Sequence, residues 1–102
     1  MREIKRISEQ IDEELKDAKK YLQCAYNNKK DHPELADMYY DLSIAEMKHV
    51  TMLHDMAVRL IDEYSETNSI PEGMQAIYDY LHEKHMKTAR KIKLKQEEFK
   101  EE

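Results

Sequence analysis

The sequence predicts an all-α protein: a three-helix chain whose first two helices form an antiparallel hairpin within a bundle. Three observations lead there. The 102 residues include one Gly and two Pro, so there is little turn chemistry. Charged residues make up 38% and hydrophobic residues 40%, in a mixture rich in the helix formers Glu, Lys, Leu, Met and Ala. Apolar residues also recur at alternating steps of three and four rather than at every second position.

Two punctuation points divide the chain. Asn27 to Glu34 holds Asp31 three residues before Glu34, a capping-box-like start with Pro33 in the first turn. Ser65 to Glu72 repeats the pattern with Ser69 and Glu72 around Pro71. The expected helices therefore run over 2–28, 32–65 and 70–100 in one domain, residues 1–102. A chain of this length buries one modest core, and such chains often enlarge it by oligomerising.

The first helix carries Ile4, Ile7, Ile11, Ala18, Tyr21 and Ala25 in one rhythm, with position 14 as its gap. The second carries Leu35, Met38, Leu42, Ala45, Met52 and Met56, with a gap at position 49. Beside it runs a second stripe of Tyr39, Leu53 and Leu60, interrupted at position 46. Met74, Tyr78, Leu81, Ile92 and Phe99 form the weaker seam of the third helix. Such spacing is that of helices packed in an antiparallel bundle.

Charge and motifs exclude several classes. A formal net charge of −5 makes no general case for nucleic-acid binding. No run of eighteen apolar residues and no cationic-then-apolar leader is present, so a soluble cytoplasmic protein without a membrane partner is the expectation. Cys24 stands alone and has no internal disulfide partner; a helix would bury it as a small apolar residue. There is no Gly-rich phosphate loop, no Ser/His/Asp arrangement and no setting for a Cys nucleophile.

The seam gaps hold Glu14, Glu46 and His49. A carboxylate there is costly to bury unless it is paired, protonated or bound to a cation. Glu14 lies seventeen residues before Asp31, and Glu46 and His49 lie fifteen and eighteen after it. At about 1.5 Å rise per residue, a hairpin turning near Asp31 brings all three to one level, roughly 25 Å from the turn. Glu46 and His49 project from one helix face. Two carboxylates and an imidazole meeting there suit iron, manganese or zinc. An internal Glu14–His49 polar pair, or a rotated helix that leaves both at the solvent edge, accounts for the same spacing. The Glu-x-x-His pattern itself carries little information, since fourteen Glu and five His give about 0.7 such pairs by chance.

Residues Glu14 to Tyr21 resemble the first-helix signature of bacterioferritin- and rubrerythrin-like proteins, a ligand Glu with a Tyr seven residues on. Glu46-Met47-Lys48-His49 is similar to the second-helix Glu-x-x-His of the same ferritin-like superfamily. The resemblance covers residues 8–62. It implies a di-iron carboxylate site with Glu14 as terminal ligand, Glu46 as bridging ligand and His49 as imidazole ligand. It also implies ferroxidase-type or peroxide-consuming chemistry.

In one respect the sequence departs from that family. A full ferritin-like domain repeats the Glu and the Glu-x-x-His on a second helix pair. Here the third helix offers no such motif, and the level of the site falls near Lys87 to Arg90. A complete centre therefore needs a second chain, as the resemblance to encapsulated ferritins implies, in a homodimer or higher homo-oligomer. The rival expectation is a non-catalytic helical assembly or adaptor protein that binds no metal.

Weaker candidates remain. His82 and His85 are three apart and could face one metal, though an exposed helix face is the commoner use of such a pair. His54 is expected to be exposed or packed beside the third helix. Tyr21, Tyr39 and Tyr40 are either partners of the site or ordinary core aromatics with a polar tip. Seven Met suit gap filling in a helical interface. The basic run Lys84, Lys87, Arg90, Lys91, Lys93 and Lys95 reads as a solvated face.

Overall fold

The computed structural model describes residues 2–101, and among them only helices occur as regular structure. They are α1 (Arg2–Asn28), α2 (Pro33–Thr67) and α3 (Glu72–Glu101). These bounds fall within two residues of those expected. The bundle is 56 Å long and 17 Å across. Among the described residues, no helix is long and apolar enough to cross a membrane.

The starts of α2 and α3 differ from the expected capping boxes. His32, not Asp31, is the N-cap of α2, and it makes no side-chain cap bond. Pro33 opens the helix instead, where its missing N–H loses nothing and its fixed φ is already helical. At α3 the Pro71 carbonyl accepts from the Met74 and Gln75 amides at 3.0 Å each, so backbone supplies the first bonds.

The core lies where small residues let α1 and α2 approach. Ala18, Ala25, Ala36 and Ser43 are fully buried, and interhelical distance depends on the side chains at the contact. Larger residues of α1 flank this line, with Ile11, Leu15 and Leu22 buried. Tyr21 stacks on Tyr39, Ser43 Oγ donates to the Ala18 carbonyl at 2.7 Å, and His49 meets Glu14. The partners thus descend α1 as they ascend α2.

This geometry corrects two expected seams. On α1, Leu15 and Leu22 face inward while Ile7, Glu14 and Tyr21 stand on the flank, half-buried. An apolar Leu at the neighbouring position takes the core site that a carboxylate would occupy only at high cost. On α2 the inward row is Ala36, Ser43 and Val50, with the second stripe's Tyr39 and Leu53 packed beside it. The first stripe lies outside: Leu35, Met38, Leu42, Met52 and Met56 are all exposed, Met52 to 69%. Cys24 is only half-buried.

α3 closes the opposite flank of the hairpin. Its seam buries Ile92 and Phe99, and also the polar His85 and Gln96. Phe99 packs against the Tyr40 ring at 5.1 Å and edge-on to Tyr26 at 5.3 Å, with the Lys29 ammonium 4.2 Å from its ring centre. The Tyr26 hydroxyl donates to the Lys95 carbonyl at 2.8 Å. Gln96 Nε2 donates to Ser43 Oγ at 2.9 Å, so one hydroxyl links all three helices.

Candidate metal centre

Glu14, Glu46 and His49 come together on the flank of the hairpin that α3 leaves open. Each offers one ligand atom, and those atoms all lie within 4.8 Å of one another. His49 Nδ1 stands 3.4 Å from Glu14 Oε2 and 3.6 Å from Glu46 Oε2. Ligand atoms on one ion with bonds of about 2.1 Å sit about 3.0 Å apart in octahedral and about 3.4 Å apart in tetrahedral arrangement. The spacing here starts at the wide end of that range and extends beyond it, so the three side chains would have to close in by a few tenths of an ångström or more around one ion.

Burial differs among the three. The side chains are exposed to 52% at His49, 28% at Glu14 and 16% at Glu46. Glu46 Oε2 is itself buried and has no hydrogen-bond partner. A carboxylate oxygen in that state needs a proton, a donor or a cation. The imidazole, at 3.6 Å, is too far to serve as a donor. The cluster therefore contains one oxygen whose need the chain leaves unmet, and the chemistry of the donor set fits a first-row divalent ion.

The surroundings are apolar and open. Met38, Leu42, Met52 and Met56 of α2 lie on the same exposed face as His49, two on either side of it in sequence. Tyr21 and Tyr39 stack with ring centres 6.3 Å apart. Among the described residues, neither hydroxyl bonds to Glu14, Glu46 or His49.

The remaining candidates go elsewhere. His82 and His85 do not share a ligand position: His82 Nδ1 lies 3.1 Å from His54 Nε2, and His85 Nε2 lies 2.7 Å from Asp12 Oδ1. His85 is buried and Asp12 is half-exposed, so their partnership is a contact between α1 and α3 at the edge of the core. His54 packs beside α3, as expected, but against another imidazole. That pairing left no signal in the sequence, because His54 and His82 are neighbours only through the chain's second turn. The exposed apolar stripe did leave one, since α2 carries two apolar stripes and only one of them can face α1.

Compared with protein-family models, with curated proteins and with solved structures, the chain matches none.

Proposed function

We propose that this protein binds a divalent transition metal through Glu14, Glu46 and His49, iron first, with manganese or zinc as substitutes. In this reading two copies bring their half-sets together as a dinuclear carboxylate centre of ferritin-like type. The observation that carries it is the buried, unpartnered Glu46 Oε2 beside Glu14 and His49. Two further facts support it. Two carboxylates and one imidazole are too few donors to fill an iron coordination sphere. The apolar stripe through His49 is the kind of surface a second copy covers. On this reading Glu46 bridges, Glu14 and His49 complete each half, and redox turnover of Fe²⁺ is the activity to look for.

The second reading is a helical assembly protein in which Glu14 and His49 form an ordinary exposed polar pair. The exposed stripe supports assembly whether or not metal binds. Elemental analysis separates the two on protein purified without a polyhistidine tag. The metal reading expects about one ion per chain and its loss in Glu46→Ala. A metal-free protein whose melting temperature ignores added Fe²⁺, Mn²⁺ and Zn²⁺ favours the assembly reading, because an ion that binds only the folded state must raise that temperature.

A further inference from the structure

Toward the end of the bundle where α2 passes into α3, the two helices meet through a pair of imidazoles. His54 Nε2 lies 3.1 Å from His82 Nδ1. The ring centres are 4.9 Å apart and the planes are inclined by 30°. His82 is exposed and His54 partly so, which leaves the pair open to solvent.

Between two neutral imidazoles one nitrogen donates its N–H and the other accepts, so a single proton occupies the gap. Once that proton leaves, the same two atoms are metal donors. Bonds of about 2.1 Å to a common ion across this 3.1 Å gap subtend about 95°. That is close to the right angle of a tetragonal sphere and well short of the roughly 109° of a tetrahedron.

The surroundings favour a cation there. His54 Nδ1 faces Asp55 Oδ1 at 3.5 Å. A carboxylate on that side draws the ring proton to Nδ1 and leaves the lone pair on Nε2, as behind many metal-bound imidazoles. Among the described residues that line the cleft beneath the pair, Asp79 supplies a negative charge and none is lysine or arginine. His85 lines the same cleft but is held by Asp12 at 2.7 Å, so it does not compete for the gap. Water completes the rest of the sphere on the exposed side.

We propose that His54 and His82 form a second metal site, a clamp between α2 and α3 for a divalent ion of tetragonal preference, Cu²⁺ or Ni²⁺. Two imidazole nitrogens at this angle suit those ions, whereas Glu14, Glu46 and His49 present mainly carboxylate oxygen. The site shares no residue with that cluster and stands whether or not the cluster binds metal. Its ligands are 28 residues apart in the chain, so the unfolded state presents no preformed pair. Binding therefore fastens α3 to the hairpin and raises stability.

Cu²⁺ and Ni²⁺ titrated into the full-length Glu46→Ala chain, prepared without a polyhistidine tag, test the clamp with the other cluster disabled. One Cu²⁺ per chain is expected, with splitting from two imidazole nitrogens in its electron paramagnetic resonance spectrum. Ni²⁺ at a hundred times its Kd should raise the Tm by roughly 10–20 °C. His54→Gln and His82→Gln should each leave one nitrogen, weaken binding about a hundredfold and abolish the Tm shift, at unchanged helical signal. Iron content in the wild-type background should be the same with and without these two substitutions, so the two sites fail separately. Binding that survives either substitution overturns the proposal, as does a one-nitrogen spectrum or a Tm that ignores both ions.

Discussion

Asp12 and Glu14 stand two residues apart on α1, yet their carboxylates serve different helices. Asp12 Oδ1 meets His85 Nε2 of α3 at 2.7 Å, and Glu14 Oε2 meets His49 Nδ1 of α2 at 3.4 Å. Two residues turn an α-helix by about 200°, which sends the two side chains to opposite flanks. The consequence is functional. α3 docks on the Asp12 flank and so has no access to the flank where Glu14, Glu46 and His49 gather. The lack of a ligand motif in α3 and its position in the bundle agree.

The two carboxylates should separate cleanly on mutation. Asp12→Ala leaves the buried His85 imidazole without its partner and should cost about 1–3 kcal/mol of stability, with no change in metal content. Glu14→Gln should do the reverse, lowering metal affinity with little effect on the melting temperature of the metal-free protein. Chemical denaturation and elemental analysis of both variants check this. Loss of metal in Asp12→Ala at unchanged fold would contradict the assignment of flanks.

Ser43 should be the most sensitive small residue of the core. It donates to the Ala18 carbonyl and accepts from Gln96, and it is fully buried. Ser43→Ala strips both partners and should destabilise by about 1–3 kcal/mol. The double variant Ser43→Ala, Gln96→Leu should cost less than the sum of the two single changes, because the second removes an amide that the first has orphaned. Strict additivity in urea titrations would mean that the Ser43–Gln96 bond contributes nothing.

Met52 and Leu42 test the assembly. Both belong to the exposed α2 stripe on either side of His49. In the proposed homodimer, Met52→Glu and Leu42→Glu should shift sedimentation toward a monomer and lower metal content together, at unchanged helical signal. A monomeric wild-type chain at micromolar concentration that still holds one metal per chain would remove the shared-centre reading. It would leave a single-chain site.

Alkaline pH tests the environment of Tyr78. Its folded pKa lies above the ordinary 10.0 of a phenol, so on raising the pH the unfolded chain loses this proton first. Fewer protons bound in the unfolded state means stability that falls as pH rises. The wild type should therefore lose stability from about pH 10 upward, and Tyr78→Phe should lose less over the same window. At neutral pH, Tyr78→Phe should be at least as stable as wild type, since it removes an unpaired buried hydroxyl. Matching slopes in the two proteins would show that the phenol is solvated.

The sequence by itself determined what depends on distances along the chain. Helix spans followed from Pro33, Pro71 and the unbroken three-and-four rhythm between them. The convergence of Glu14, Glu46 and His49 followed from rise per residue and the position of the turn, both local quantities. The tertiary structure decided how each helix is rotated about its own axis. Periodicity gives relative angles between residues of one helix and no absolute one, so either α2 stripe satisfied it equally. Close approach at Ala18, Ala36 and Ser43 turned the row Ala36, Ser43 and Val50 inward, packed the second stripe beside it and left the first exposed with His49 in its midst. The same non-local packing gave His82 to His54 and His85 to Asp12, partners that a three-residue spacing within α3 does not reveal. Glu14 thus stands on a flank rather than in the core, because Leu15 fills the inward position at far lower desolvation cost.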